Sequence, residues 1–330
     1  MGKMRRISRK YFTAAIVVLL GVALTSLGFM FLKQWEREKG TFAEHEFDDS
    51  SVEYGGSQYK LKDNVETFLV IGLDKLKEEA TYDSYNNDRQ ADFLMLFIFD
   101  NDVGKCSVIH INRDTMAEMN VLGVAGGKID VVTKQIALSH TYGNGRDVSC
   151  RNTADAVSKL LCDIKVDHYI SVTMDIVPEI NDLLGGVEIE VLDDFSGIDD
   201  TLVKGKTITL NGKQAMNYVR SRYGLEDSSN NRRMERQQQY INAAYEQFKQ
   251  CAANDEEFIV KASLRLSDYM ISDRSVTQLQ ALAEKFNEYE FEGIRALEGE
   301  MKKGEEFMEF YPNREALAKL VFEVFYMPEE

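Results

Sequence analysis

Residues 68–74 read Phe-Leu-Val-Ile-Gly-Leu-Asp, and two more apolar runs follow, Phe-Leu-Met-Leu-Phe-Ile-Phe at 93–99 and Cys-Ser-Val-Ile-His-Ile at 106–111. Each run is short, rich in strand formers and apolar without alternation. Strands buried on both faces of a sheet have this pattern. The Asp100-Asn101-Asp102-Val103-Gly104 segment between the last two runs reads as a turn.

Outward from this core the pattern alternates. Helical spacing is expected over 131–142 and 152–161, the second with Asn152 as its N-cap. A strand follows at 169–172, then a helix at 176–184 stopped by Gly185-Gly186. Residues 187–191 alternate apolar with acidic side chains, as a half-exposed edge strand does, and a long helix runs over about 231–250. Strands alternating with helices predict an α/β fold, a mixed β-sheet flanked by helices, over residues 65–254. Residues 255–330 add helices at about 275–289 and 313–325 and strands at 290–298 and 305–310, read as a small C-terminal α/β accessory lobe.

The chain has 330 residues, 39 basic against 55 acidic side chains and a net charge of −16. With 44% apolar residues it can build a packed core, and a chain this acidic is a poor match for nucleic acid. Residues 1–10 carry five cations and no acid, and residues 11–32 then pass without a charge. At about 1.5 Å per helical residue those 22 positions reach about 33 Å, enough for a hydrocarbon core of about 30 Å. The run is longer than a signal peptide's apolar region and has no small-residue cleavage site. A single-pass cell-membrane anchor is therefore expected, with a cytoplasmic basic tail, a polar stalk at 33–64, and the remainder extracytoplasmic. Cys106, Cys150, Cys162 and Cys251 show no Cys-x-x-Cys pair; Cys106 reads as core, and a Cys150–Cys162 bridge is one open pairing. The four histidines lack metal-ligand spacing.

Charged residues stand at the ends of the predicted elements. Asp74 follows one buried strand, Asp92 precedes the next, and Arg113-Asp114 follows the third. Strand ends in open α/β sheets line the crevices where ligands bind. Arg220 and Arg222 lie two apart, while Arg233, Arg236, Gln237 and Tyr240 fall on one helical face. Concentrating Arg220, Arg222, Arg232, Arg233 and Arg236 within 17 residues of an acidic chain points to a phosphorylated ligand. The planar guanidinium fork matches phosphate bidentately, and nearby carboxylates could hold a divalent cation. A solvated helix face is the bland alternative.

These segments resemble the LytR-CpsA-Psr family of cell-wall glycopolymer ligases. The resemblance is carried by Val70-Ile71-Gly72-Leu73-Asp74, Gln90-Ala91-Asp92-Phe93, Ile111-Asn112-Arg113-Asp114-Thr115, Asp182-Leu183-Leu184-Gly185-Gly186-Val187, Leu210-Asn211-Gly212-Lys213-Gln214-Ala215, Tyr218-Val219-Arg220-Ser221-Arg222 and Arg233-Met234-Glu235-Arg236-Gln237. Their common order makes the signal specific. The resemblance implies an extracytoplasmic phosphotransferase that moves a glycopolymer from a polyprenyl-pyrophosphate carrier onto peptidoglycan through a phosphodiester. It also implies an apolar tunnel for the lipid and Mg²⁺ (or Mn²⁺) at the pyrophosphate. By position, Asp74 and Asp92 look like metal ligands, with Asp92 and Arg113 catalytic. Arg113, Arg220, Arg222 and Arg233 look like pyrophosphate ligands, supported by Arg236 and Gln237 and in part by Arg89 and Gln90.

Two positions depart from the family pattern. Gln90 stands where arginine is common, and Asn230 where aspartate is frequent. Gln90 favours an alternative from another class, a non-catalytic polyprenyl-phosphate-binding sensor of envelope synthesis. A third reading, hydrolysis of the lipid pyrophosphate, needs only water as acceptor.

Overall fold

The computed structural model describes residues 52–54, 56–74, 89–123 and 125–329. The expected tail, membrane span and first part of the stalk lie outside the described residues. Among the described residues no helix is long and apolar enough to cross a membrane.

The described chain begins with β1 (Val52–Tyr54), β2 (Ser57–Leu61) and β3 (Val65–Leu73), then β4 (Ala91–Asp100) and β5 (Lys105–Ile111). A hairpin of β6 (Met116–Leu122) and β7 (Lys128–Gln135) leads to α1 (Asp147–Leu160), β8 (His168–Thr173) and α2 (Ile176–Leu183). Next come β9 (Val187–Glu190), β10 (Thr207–Leu210), α3 (Gly212–Arg220) and the long α4 (Asn230–Asn254). The remaining elements are α5 (Phe258–Leu266), β11 (Met270–Ser272), α6 (Val276–Glu288), β12 (Glu290–Ala296), β13 (Gly299–Lys303), β14 (Met308–Pro312), α7 (Arg314–Phe325) and β15 (Tyr326–Pro328).

The three apolar runs that opened the sequence form neighbouring strands of a six-stranded mixed sheet, in the order β11-β8-β3-β4-β5-β12. β3 is antiparallel to β4 but parallel to β8. The double-sided burial read from these runs holds. Leu94, Leu96 and Ile98 face one core with Leu69, Ile71 and α1. Met95, Phe97 and Phe99 face another with Phe68, Ile170 and α6. Four helix starts are pinned by side-chain caps, α3 and α6 by full capping boxes at Asn211/Gln214 and Ser275/Gln278.

Several expectations fail for identifiable reasons. Residues 131–142 are not a helix: β7 occupies 128–135 and a 3₁₀ turn occupies Ile136–Thr141. Cross-strand pairing with β6, closed by a Gly123–Gly127 turn, overrides the local spacing. Asn152 does not cap a helix that instead begins at Asp147; it is buried inside α1 and donates to the Asn120 and Ser139 carbonyls. All four cysteines are free thiols, Cys106 within the core. Residues 255–330 are not an appended lobe. β11 and β12 are the two edge strands of the central sheet, and Phe310, Val321 and Phe325 belong to its core.

Candidate active site

Antiparallel pairing brings the end of β3 and the start of β4 to one edge of the sheet, where the β5 exit also lies. Gly72 pairs with Phe93 and Leu73 with Ala91, so Asp92 is the extra residue of a bulge. Such bulges re-aim a side chain, here beside Asp74 and the Arg113 that leaves β5. Gly72 is required at this crossing, since a Cβ there would stand 2.7 Å from Cβ of Phe93.

A cleft of about 460 Å³ opens at this edge, lined by Asp74, Asp92, Arg113, Arg220, Arg222, Arg233 and Gln237, with Phe93 and Tyr223 among the apolar walls. Four arginines against two aspartates make it cationic in a chain of net charge −16. Arg113 donates to the Asp92 carboxylate and to Oε1 of Gln90, and its Nε lies 3.5 Å from Asp114. Arg220, at the last turn of α3, donates to both oxygens of Asp74 at 2.8 and 3.1 Å. Beyond the Ser221 cap, Arg222 lies over the Tyr223 ring at 5.1 Å and donates to the Ser228 carbonyl.

Arg233 enters from the first turns of α4. It donates to Oδ1 of Asn230 at 2.6 Å, while its Nε is buried with no hydrogen-bond partner. Burial pushes its pKa down to about 10; the Asp92 charge opposes this, and Arg113 and Arg222 add to it. The neighbouring Asp114 carboxyl is raised by burial against the pull of Arg113, Arg222 and Arg233. Like charges crowded without full compensation are a feature of ligand sites. A dianion entering here would neutralise them.

Phe93, Met95, Phe97 and Phe99 lie in a row on one face of β4. The row runs from the cleft, at Phe93, to a separate cavity of about 330 Å³ at Phe97 and Phe99. Nearly every side chain around that cavity is apolar, including Phe68, Phe248, Phe258 and Phe286. At about 3.3 Å per strand residue, Phe93 and Phe99 stand about 20 Å apart.

A family model described as the LytR_cpsA_psr family matches residues 32–320. The chain belongs to this family. It is 27% identical over 220 residues to the polyisoprenyl-teichoic acid–peptidoglycan teichoic acid transferase TagU of Bacillus licheniformis, covering 66% of this chain and 64% of that protein. The chain thus spans just under two thirds of the length of three curated relatives and 82% of a fourth. A crystal structure of a Streptococcus agalactiae protein superposes with a TM-score of 0.63 at 19% identity, covering 79% of this chain and 86% of that one. TagT bound to LIIa-WTA superposes with a TM-score of 0.59 at 19% identity, covering 86% and 93%. These structural likenesses establish the mixed α/β fold.

Not every residue singled out in the family motifs reaches the cleft. Arg236 does not line it. The side chain is fully buried, donating to the Tyr218 and Ser221 carbonyls and, at 2.5 Å, to Asp193. The polar stripe on α4 is therefore an inward face that holds the carbonyls flanking Arg220 and Arg222. Gln237, also buried, both borders the cleft and donates to the Val219 carbonyl. Arg89 turns away and donates to the Gly145 carbonyl at 3.3 Å. Gln90 touches the site only through Arg113. Sequence reasoning missed Asp193, and it met Asn112 only inside a motif and Asn230 only as a departure from the family pattern. Asp193 sits in an unremarkable acidic run, and the other two act through amide contacts between strands and helix far apart along the chain.

Proposed function

We propose that this chain is a membrane-anchored, extracytoplasmic phosphotransferase that moves a glycopolymer from a polyprenyl-pyrophosphate carrier onto a peptidoglycan hydroxyl. One observation carries the reading: four arginines and two aspartates line one cleft, and an apolar row leads from it to an apolar cavity. A ligand with a diphosphate head and a long hydrocarbon tail has both requirements. The names of the TagU relatives support the same donor and acceptor classes. The apolar cavity is read as part of a lipid tunnel, and the uncharged run at 11–32 as the anchor.

In the reaction, the acceptor hydroxyl oxygen attacks the phosphorus nearer the polymer. The new P–O bond forms as the bridging P–O bond of the pyrophosphate breaks, and polyprenyl phosphate leaves. Asp92 accepts the hydroxyl proton and returns it to the departing phosphate or to water. Arg113 holds the Asp92 carboxylate at the sheet edge, and Arg220, Arg222 and Arg233 position and neutralise the diphosphate. Phosphoryl transfer depends chiefly on such positioning and charge. Asp74 and Asp92 are oxygen donors of the kind Mg²⁺ or Mn²⁺ takes together with phosphate oxygens and water. A bound ion held by them would add charge neutralisation at the pyrophosphate. Among the described residues no group of three or more His, Cys, Asp or Glu side chains gathers around one point.

The test is the full chain in detergent with a lipid-linked donor, Mg²⁺ and a peptidoglycan acceptor. Release of polyprenyl phosphate that depends on acceptor supports transfer. Release without acceptor means hydrolysis, and tight binding without release means a sensor, the reading that Gln90 favours. Asp92→Asn should lower turnover more than donor affinity; equal losses contradict its role as base.

A further inference from the structure

A cavity of about 720 Å³ borders Asn112, the residue before the cleft's Arg113. It is enclosed by α4, the end of β12 and the β13–β14 hairpin, and its size is that of a small-molecule site. Its chemistry differs from the cleft's. Asn231, Gln238 and Asn313 line it with amides, and Tyr311, 40% exposed, lines it with an aromatic ring that also carries the Lys302 ammonium at 5.1 Å. Of its charged side chains, Glu235, Glu298 and Glu300 are acidic and only Lys302 is basic.

Amides, carboxylates and one exposed aromatic face are the groups that recognise sugar hydroxyls and N-acetyl groups. The excess of carboxylate disfavours a polymer whose repeat carries phosphate, and it tolerates an uncharged glycan. The two sites meet along the chain. Asn112 borders the cavity, and the next residue, Arg113, borders the cleft. Asn112 donates to Asn231 at 2.8 Å and accepts from Asn230 at 2.7 Å, and Asn230 in turn accepts from Arg233. The hairpin is tied to the same place, since the Phe310 N–H donates to the Asp114 carbonyl at 2.8 Å.

We infer that this cavity is the binding subsite for the acceptor, a glycan strand of alternating N-acetylated amino sugars. The strand runs on from it past the Asn112–Arg113 junction, so that the hydroxyl of a neighbouring sugar enters the arginine cleft. The inference rests on the transfer reaction proposed above, and it assigns the β13–β14 hairpin, outside the arginine motifs, to acceptor recognition.

The test titrates the full chain in detergent, without donor, with an oligosaccharide of alternating N-acetylglucosamine and N-acetylmuramic acid whose lactyl carboxylates are amidated and so uncharged, and separately with a polyol-phosphate oligomer. The oligosaccharide should bind, and Tyr311→Ala and Glu298→Gln should each weaken it about three- to tenfold, the loss of one or two hydrogen bonds or contacts. Affinity for a polyprenyl pyrophosphate should stay unchanged in both variants, which also verifies that they fold. Glu298→Lys should admit the polyol phosphate. Unchanged oligosaccharide affinity in both variants, or tighter binding of the polyol phosphate than of the glycan to the unaltered chain, overturns the assignment. Glycan binding that depends on Tyr311 without any transfer would instead count against the reaction and leave the subsite standing.

Discussion

Asp193→Ala isolates the one buried charge pair on which the arginine cleft is built. Asp193 is about 5% exposed and accepts from Arg232 at 2.8 Å and from the fully buried Arg236 at 2.5 Å. Removing the carboxylate affects the two arginines differently. Arg232 keeps Glu235 and the Leu192 carbonyl. Arg236 is left with a full charge in the interior, held by the Tyr218 and Ser221 carbonyls and the Phe195 ring 5.6 Å away, with no anion against it. Stranding a buried charge costs about 3–5 kcal/mol. For a chain of this size about 1 kcal/mol moves the midpoint by about 2 °C, so the melting temperature should fall by about 6–10 °C. Relaxation of the freed guanidinium would shift the Ser221 carbonyl, and Arg220 and Arg222 with it, so donor affinity should fall in the same variant. Glu235→Ala is the control. It breaks the exposed end of the same network, Arg232–Glu235, and should cost less than about 1 kcal/mol. Differential scanning of the full chain in detergent measures both. A loss in Asp193→Ala no larger than in Glu235→Ala refutes the claim that Arg236 depends on this carboxylate.

Arg222→Ala and Arg233→Ala should each weaken binding of a polyprenyl pyrophosphate by about 1–3 kcal/mol, since each removes a charge-assisted contact; titration of the full chain with the lipid reads this. Stability should also depend on pH through two buried histidines. Burial, helped by the Arg233 charge, lowers His110 to about 3, and burial lowers His140 to about 4 against its contact with the Arg89 carbonyl. Both lie below the unfolded value of about 6.5, so the unfolded chain binds protons first. Their stabilisation is complete above about pH 6.5 and erodes as pH falls toward 4 and 3. The difference in urea midpoint between the unaltered chain and His110→Phe should therefore shrink from pH 8 to pH 4.

What the sequence made legible was whatever its local pattern sufficed to determine. The apolar runs at 68–72, 93–99 and 106–111 read as doubly buried strands, and they lie side by side at the centre of the sheet. Charges placed just beyond those runs had to emerge at their ends, and antiparallel pairing put Asp74, Asp92 and Arg113 at one edge. The failures share a cause: each depended on a partner outside the stretch being read. Helical spacing at 131–142 gave way to pairing with β6. The stripe through Arg233, Arg236 and Gln237 is helical as read, but whether a charged face meets water or protein is decided elsewhere. Here Asp193, 43 residues earlier, turns Arg236 from a ligand candidate into a buried brace. Residues 255–330 looked separable because the sequence of a strand, even the seven-residue β12, does not reveal which sheet it completes, and β11 is only three residues long.

The two departures from the family pattern also become interpretable as a pair. Gln90 accepts from Arg113, and Asn230 joins Asn112 to Arg233, so each amide contacts a cleft arginine without carrying charge. An arginine at 90 and an aspartate at 230 would add one cation and one anion, leaving the net charge around the cleft unchanged. The exchange is therefore neutral in long-range electrostatics while altering local hydrogen bonds. A unit charge about 8 Å from a phosphate contributes on the order of 2 kcal/mol at an effective dielectric constant of about 20. Gln90→Arg alone should tighten binding of a lipid pyrophosphate by about tenfold or more, and Asn230→Asp alone should weaken it similarly. The double variant should return close to the unaltered affinity, and raising the salt should compress both single effects. If both single changes weaken binding and the double variant is worse than either, the amides act through their hydrogen bonds to Arg113 and Arg233. Charge balance would then not be the principle by which this cleft tolerates them.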